Sequence, residues 1–588
     1  MNSQYKNLIE KIPKTVSHVT DALEQAGFEA YLVGGCVRDL MMSQILSGAE
    51  GGREPKDWDV TTNAKPEEII KLFKKTVYEN TFGTVGVVVS RETTIDSVSH
   101  LSTKASVLVG ETTTIVEVTP YRIEAKYSDF RHPDEVKFSD KLEDDLKRRD
   151  FTVNALALNS KGHLVDMFNG IKDIKDKTLR TVGEGGDRFK EDALRMLRAV
   201  RFAIQLNFSI SSETAESIFK NADLIKNISP ERIRDEFIKI ILSKNPASGI
   251  VMLQKFGLLK NIIPELEEGI KCEQLGEHIY DVWEHLLHAL QHAADKNWPL
   301  EIRLSALFHD IGKPKSRRDV SQVQENSSAF LHPSGGTFRV KNLPKPASER
   351  KKNSADGRFQ SETGGMSKNL FPARSKKKYT FYGHEVIGAR MAKKIMERLR
   401  FPKKETDLVE KLVRNHMFFS DTELITLSAV RRIITKVGPA DAKALADKKE
   451  NKDHPIWDLM KVRECDRVGM KKKEAPYRLR KYFAMIEEAL RDPISVGQLK
   501  INGEFMIHKL GIKPGPRMGW ILSALLEEVL EDPKKNTVEK LSELVKSMDK
   551  LDDKELKALG DKGKEKKEEL EEKEIEKLHT KHGVRKNN

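Results

Sequence analysis

The chain of 588 residues is long enough for three or four domains, and at 38% hydrophobic residues it can fill their cores. Charged residues reach 33% and leave a formal net charge of +13, which favours a polyanionic partner, either nucleic acid or an anionic membrane surface. No apolar run approaches the roughly 18 residues that cross a bilayer, so no membrane-spanning helix is expected. Residues 1–16 have no signal-like apolar core, and Cys36, Cys272 and Cys465 are too far apart for a metal finger, so a cytoplasmic location is expected.

Apolar positions at helical spacing over residues 1–27 predict a helical lead-in to a first strand at residues 30–33. Gly34 and Gly35 then turn the chain into "CVRDLMM", which reads as a helix start with Arg38 and Asp39 in its first turn. A glycine pair at a strand-to-helix turn lets backbone N–H groups approach a phosphate, helped by the positive end of the helix dipole. Next, "KDWDVTT" puts Asp57 and Asp59 two apart on a predicted strand, where alternate side chains share a face; the two carboxylates converge while Trp58 points the other way. Two hard oxygen ligands at one point suit Mg²⁺. Further strands are expected over 83–89 and 112–122. In the second of these Glu117 alternates with Val116 and Val118, which makes it a candidate third acidic group or a solvent-facing glutamate.

Residues 127–136 are polar, contain proline and have no clean periodicity, predicting a mobile loop. Arg148, Arg149 and Asp150 follow, just ahead of an apolar segment. Residues 186–208 predict one helix, apolar at Leu194, Leu197, Val200 and Phe202, with Asp192, Arg195, Arg198 and Arg201 along one face. Such a stripe serves as a solvated face or as a reader of bases. Cytosine and adenine each present an amine donor beside a ring-nitrogen acceptor, so one carboxylate and one guanidinium can read both; uracil and guanine present a carbonyl and leave the carboxylate unpaired. Residues 209–270 read as all-helical with no sheet, Ser229 capping a helix that begins at Pro230.

In the second half, His285, His309, Asp310, His384, His416 and Asp466 lie on predicted helices far apart in sequence. Such ligands suit a divalent metal where four helices meet. His278, His288 and His292 read as structural. Residues 314–380, rich in Ser, Lys, Arg, Gly, Pro and Asn, predict a disordered or weakly ordered insertion, either a solvated loop or an RNA-binding one. After Asp466 the chain is helical again. Val538, Leu541, Val545 and Met548 mark one helix with a narrow apolar stripe, and the Lys- and Glu-dominated stretch beyond Gly560 predicts a solvated tail.

Together, "YLVGGCVRD", "DWDVTTNA" and "RRDFTVNA" resemble the head of the class II nucleotidyltransferases, the family of CCA-adding tRNA nucleotidyltransferases and bacterial poly(A) polymerases. The resemblance covers roughly 28–317 and 380–530. It implies an α+β chain: a small polymerase-beta-like mixed α/β head (1–158), a helical neck and body (159–270), an HD domain (271–470) and a helical C-terminal segment (471–530); the 314–380 insertion departs from the family pattern, and a charged helical or disordered tail (531–588) lies outside the resemblance. It implies that Asp57 and Asp59 hold Mg²⁺ with Asp150 beside them, and that Gly34, Gly35, Arg38 and Arg149 meet the nucleotide. The family motif E-D-x-x-R matches Glu191, Asp192 and Arg195, which would read CTP and ATP, with Arg198 and Arg201 on the triphosphate. Residues 127–136 resemble the flexible loop of enzymes that add the final A.

The implied reaction is addition of CMP, CMP and AMP to tRNA 3′ ends, without an obligate protein partner. Poly(A) addition, or one half of a split CC- and A-adding system, stays open. The H…HD…D pattern resembles the HD phosphohydrolases and implies a metal site at His285, His309, Asp310 and Asp466, with His384 and His416 as the extra histidines of two-metal members. Mn, Ni, Co and Fe are the candidate ions. In a rival reading the HD domain is the active part and the head only binds RNA.

Overall fold

The computed structural model describes residues 6–46, 54–55, 57–79, 83–90, 113–125, 135–274, 278–319, 379–417, 425–438, 454–470 and 476–563. They fall in two units, one of residues 1–315 with 384–566 and one of residues 316–383 with 567–588. In the second, the described residues include an antiparallel pair, Arg318–Asp319 with Tyr379–Thr380. Most of the predicted loop at 127–136, most of the insertion and the end of the charged tail lie outside the described residues.

The first unit opens with a mixed sheet. Its strands are β1 (Ala30–Val33), β2 (Asp59–Thr62), β3 (Thr76–Glu79), β4 (Thr84–Ser90), β5 (Thr113–Pro120), β8 (Leu156–Asn159) and β9 (Leu164–Asp166), in the order β3-β4-β5-β2-β1-β8-β9. β2 and β5 pair in parallel and the other neighbours antiparallel. Strand alternation decides the two faces. Val60, Val85, Val87, Val116 and Val118 are buried, as are Val16, Val19 and Leu23 of helix Lys14–Gln25 and Ile69 of helix Pro66–Leu72, helices that lie against these strands. Asp59 and Glu117 are register partners and belong to the opposite face.

Two local expectations change. The strand expected over 112–122 ends at Pro120, because proline has no N–H for the ladder. Tyr121 then turns into the core, donating from its hydroxyl to Glu29 Oε2 at 3.0 Å, and a separate hairpin follows, β6 (Arg122–Ala125) with β7 (Glu135–Phe138). The single helix expected over 186–208 is broken into Gly185–Glu191 and Leu194–Leu206, with Asp192 extended at φ −141°, ψ 103°. Asp192 Oδ1 accepts the Leu194 N–H at 3.0 Å, the local side-chain-to-backbone bond by which aspartate competes with a continuing helix.

The following region is helical except for Ser209–Ile210, which pairs in parallel with Thr178–Leu179, so the expectation of no sheet there is corrected. Ser229 occupies the position ahead of helix Pro230–Ile241, but its side chain accepts no helix N–H. From residue 282 onward most of the helices, though not His384–Arg398, contribute to one buried cluster. Ala289, Ile302, Leu412, Ile434 and Leu459 belong to the same buried cluster as Tyr482, Ile521, Leu525, Leu541, Val545 and Leu556. The segments expected as a separate C-terminal piece and tail therefore continue the bundle up to Gly563.

Candidate active site and metal centre

The head site forms where β1 meets helix Gly35–Ile45. Gly34 sits ahead of the helix at φ +80°, a conformation open to glycine at little cost. A Cβ there would meet Arg149 Nη1 at 2.9 Å and Asp59 Oδ2 at 3.5 Å, so a guanidinium and a carboxylate from two distant segments converge on this turn. Asp59 opens β2 and is half-buried; Asp57 stands exposed just before the strand rather than on it. Burial raises the Asp59 carboxyl above its usual range, Arg149 pulls it down, and Asp57 pushes it up again. Trp58 is buried on the other side, as alternation predicts, and Glu117 is exposed beside Asp59 across the parallel pair.

Each arginine of the site is anchored by an acid. Arg149 donates to Asp145 Oδ2 at 3.1 Å, and Arg148 shares that carboxylate. Arg38 is buried between Asp39 (2.8 Å) and Asn154 Oδ1 (2.7 Å). Asp150, expected beside the catalytic pair, has both carboxylate oxygens engaged: Oδ1 accepts from the Phe151 N–H and Asn154, and Oδ2 takes two nitrogens of Arg198 at 2.8 and 2.6 Å. Against the desolvation of burial, Arg198 and Asn154 hold its carboxyl at about 2, so Asp150 acts by fixing Arg198. Arg201 pairs with buried Glu236 at 3.1 Å. Asp192 accepts from Arg232 at 2.7 Å through Oδ2, while Arg195 donates to Glu191 (2.6 Å) and to the carbonyl of Arg148 (3.1 Å). The two candidate base readers are thus held by separate partners, Asp192 within the helix break and Arg195 in the first turn of the helix after it.

The bundle brings all six residues of the second site together. His285, His309, Asp310 and Asp466 present ligand atoms within 4.8 Å of one another, and Asp310, His384 and His416 form a second such group. Asp310 is shared: its Oδ2 lies 3.4 Å from His285 Nε2 and 3.3 Å from His309 Nε2, and its Oδ1 lies 3.2 Å from His384 Nε2 and 3.6 Å from His416 Nε2. His309 and His416 each place Nδ1 on a backbone carbonyl, of Ala306 at 2.8 Å and Val413 at 2.6 Å, which leaves Nε2 for the centre. Among the described residues, the buried Asp310 Oδ1 and His416 Nε2 make no hydrogen bond, as ligand atoms awaiting a cation would. Burial opposes ionisation of Asp310 and Asp466, yet Lys313 beside the first and the imidazoles around both hold the two carboxyls well below the usual range. His278 packs edge-on to His285, with ring centroids 5.2 Å apart; His288 stacks on Tyr280, and His292 bonds Glu464.

Residues 30–180 match the family described as the poly A polymerase head domain, and residues 207–270 match the probable RNA and SrmB binding site of polymerase A. A CCA-adding enzyme of Lactobacillus delbrueckii subsp. bulgaricus is 44% identical over 227 residues, 39% of this chain and 50% of that protein. A CCA-adding enzyme of Levilactobacillus brevis is 41% identical over 262 residues, 45% of this chain and 58% of that protein. Segments 30–180 and 207–270 are thus similar to the head and RNA-binding parts of poly(A) polymerases, and part of the chain is similar to CCA-adding enzymes. The chain spans about half the length of the curated relatives it matches. Over the whole chain the likeness is one of fold: the crystal structure of the Bacillus stearothermophilus CCA-adding enzyme in complex with CTP superposes with a TM-score of 0.56 at 23% identity, covering 91% of this chain and 97% of that one.

Within residues 30–270 the structure adds residues that the motifs alone do not single out. Asn154 ties Arg38 to Asp150, Asp145 anchors Arg149, and Arg232 and Glu236 of helix Pro230–Ile241 hold Asp192 and Arg201. Glu236 had one legible signal, a charged residue on the buried face of an amphipathic helix. Arg232 had none, because its partner lies 40 residues away across a helix break.

Proposed function

We propose that this chain is a template-independent tRNA nucleotidyltransferase that adds CMP, CMP and AMP to tRNA 3′ ends from CTP and ATP. The observation that carries the proposal is the meeting of Asp59 and Arg149 at the Gly34 turn, with Glu117 as the register partner of Asp59, inside the segment that matches the poly A polymerase head domain. The donor set of Asp57 and Asp59 fits Mg²⁺: two hard oxygens, one of them raised in pKa by burial and by its neighbour. Asp57 and Asp59 would hold the ion, and it would supply Lewis-acid activation of the RNA 3′-hydroxyl and charge neutralisation for the leaving pyrophosphate. Arg149, held by Asp145, faces the same turn and neutralises phosphate charge from the protein side. Asp192 and Arg195 read the base edge, and Arg38, Arg198 and Arg201 orient the triphosphate. Positioning and charge neutralisation supply most of the rate in such transfers.

The bundle supports a second activity, metal-dependent phosphoester hydrolysis. Imidazoles outnumber carboxylates there, which fits a transition metal better than Mg²⁺, and the shared Asp310 favours two ions. His285, His309, Asp310 and Asp466, with His384 and His416, would hold the metal, which would supply Lewis-acid activation of water for hydrolysis.

Incubation with Mg²⁺, a tRNA lacking CCA and each labelled nucleotide distinguishes the readings. Products that stop at three additions, and only with CTP and ATP together, support the proposal. Long ladders from ATP alone mean poly(A) addition, and a stop at two means a split system. No extension at all leaves the bundle as the active part.

A further inference from the structure

Phe202 stands in the middle of the arginine cluster and has no part in the reaction as described. Helix Leu194–Leu206 sets it next to Arg201 and one turn beyond Arg198, and helix Gly35–Ile45 brings Arg38 to the same ring. The guanidinium carbons of Arg201, Arg198 and Arg38 lie 4.1, 5.2 and 5.3 Å from the ring centroid. The ring is buried and packs edge-to-face on Phe151, 5.9 Å away at 81°. Phe151 in turn gives its N–H to Asp150, the partner of Arg198.

Three guanidiniums this close to one ring repel each other. Asp39, Asp150 and Glu236 each restrain one of them, but a carboxylate holds an arginine by cancelling charge that a triphosphate would otherwise meet. An aromatic face attracts a cation through its quadrupole and leaves the formal charge intact. A space-filling residue would need only apolar volume. The positions of the three cations demand a π-face as well.

We infer that Phe202 is a positioning residue for the triphosphate, gathering Arg38, Arg198 and Arg201 into one clamp through its ring. This rests on the proposed nucleotidyl transfer. Two replacements test it: Phe202→Leu, which keeps apolar bulk without the ring, and a trifluorinated phenylalanine at position 202, which keeps the shape while weakening the quadrupole. Both should raise KM for CTP and for ATP together by roughly tenfold. The kcat, the KM for tRNA and the preference for CTP over UTP should stay within about twofold, the pattern of a lost contact made equally in ground and transition states.

Inorganic tripolyphosphate, which has no base, should bind both variants more weakly by a similar factor, as read by calorimetry. Should Phe202→Leu unfold, the fluorinated protein alone decides. Unchanged tripolyphosphate affinity in the fluorinated protein, or a KM change confined to one nucleotide, overturns the inference and leaves the reaction standing. If the unaltered chain adds nothing to tRNA, the polyphosphate titration still tests the clamp.

Discussion

Asp57 is exposed ahead of β2 while Asp59 is half-buried at its start, so the two carboxylates differ in what their loss does to the protein. Asp57→Ala removes no buried contact. It should leave thermal stability unchanged while CMP and AMP addition falls on the order of a thousandfold, since a metal ligand at the reacting centre carries several kcal/mol of transition-state stabilisation. Incorporation at the unaltered rate would refute the assignment. Gly34 makes a second test. Gly34→Ala imposes a positive φ on a residue with a Cβ and drives that carbon to 2.9 Å from Arg149 Nη1. The strain is about 1–2 kcal/mol, and displacement of Arg149 adds to it. Addition kinetics should drop by roughly ten- to a hundredfold with the fold retained by circular dichroism; normal kinetics would mean that Arg149 does not act from this turn.

At the scale of elements, the break between helices Gly185–Glu191 and Leu194–Leu206 matters most. A continuous helix would set Asp192 and Arg195 as neighbours on one face, free to pair with each other. The break instead commits Asp192 to Arg232 and Arg195 to Glu191 and the Arg148 carbonyl. Each reader is therefore pre-set from outside the pair, which suits one site to two different bases. Arg195→Ala should relax discrimination, lowering the CTP-over-UTP ratio of kcat/KM by about ten- to a hundredfold, the cost of one unpaired polar group. Competition assays with mixed nucleotides measure it. An unchanged ratio would count against reading of the base by these side chains.

Across the whole molecule, two sites of different chemistry share one chain. The head offers carboxylate oxygens and the bundle offers four imidazoles with two carboxylates. Metal analysis separates them. The Asp57→Ala/Asp59→Ala double variant should retain transition metal at about two ions per chain, and adding Asp310→Ala should remove it, because Asp310 is common to both ligand groups. A metal-free double variant would make hydrolysis at the bundle untenable. Helices Val538–Met548 and Asp553–Gly563 contribute Leu541, Val545 and Leu556 to the same core as Ala289 and Leu459 rather than trail behind it.

Local chemistry was legible from the sequence wherever a pattern within a few residues dictates it. Gly34 needs a conformation only glycine takes freely, Asp57 and Asp59 bracket a buried Trp58, and the His and Asp residues of the bundle carry ligand atoms whatever their order. The helical tail stripe was also readable at Leu541, Val545 and Met548, which are buried, although Val538 is exposed. What only the tertiary structure decided is which charges neutralise which. Asp150 is expected from the sequence beside the catalytic pair, and the fold pairs it with Arg198, 48 residues away. Phe202 reads as core and becomes the ring under three guanidiniums. Short-range periodicity constrains the backbone of one segment, whereas ion pairs and ring contacts form between segments that meet only after the chain has folded.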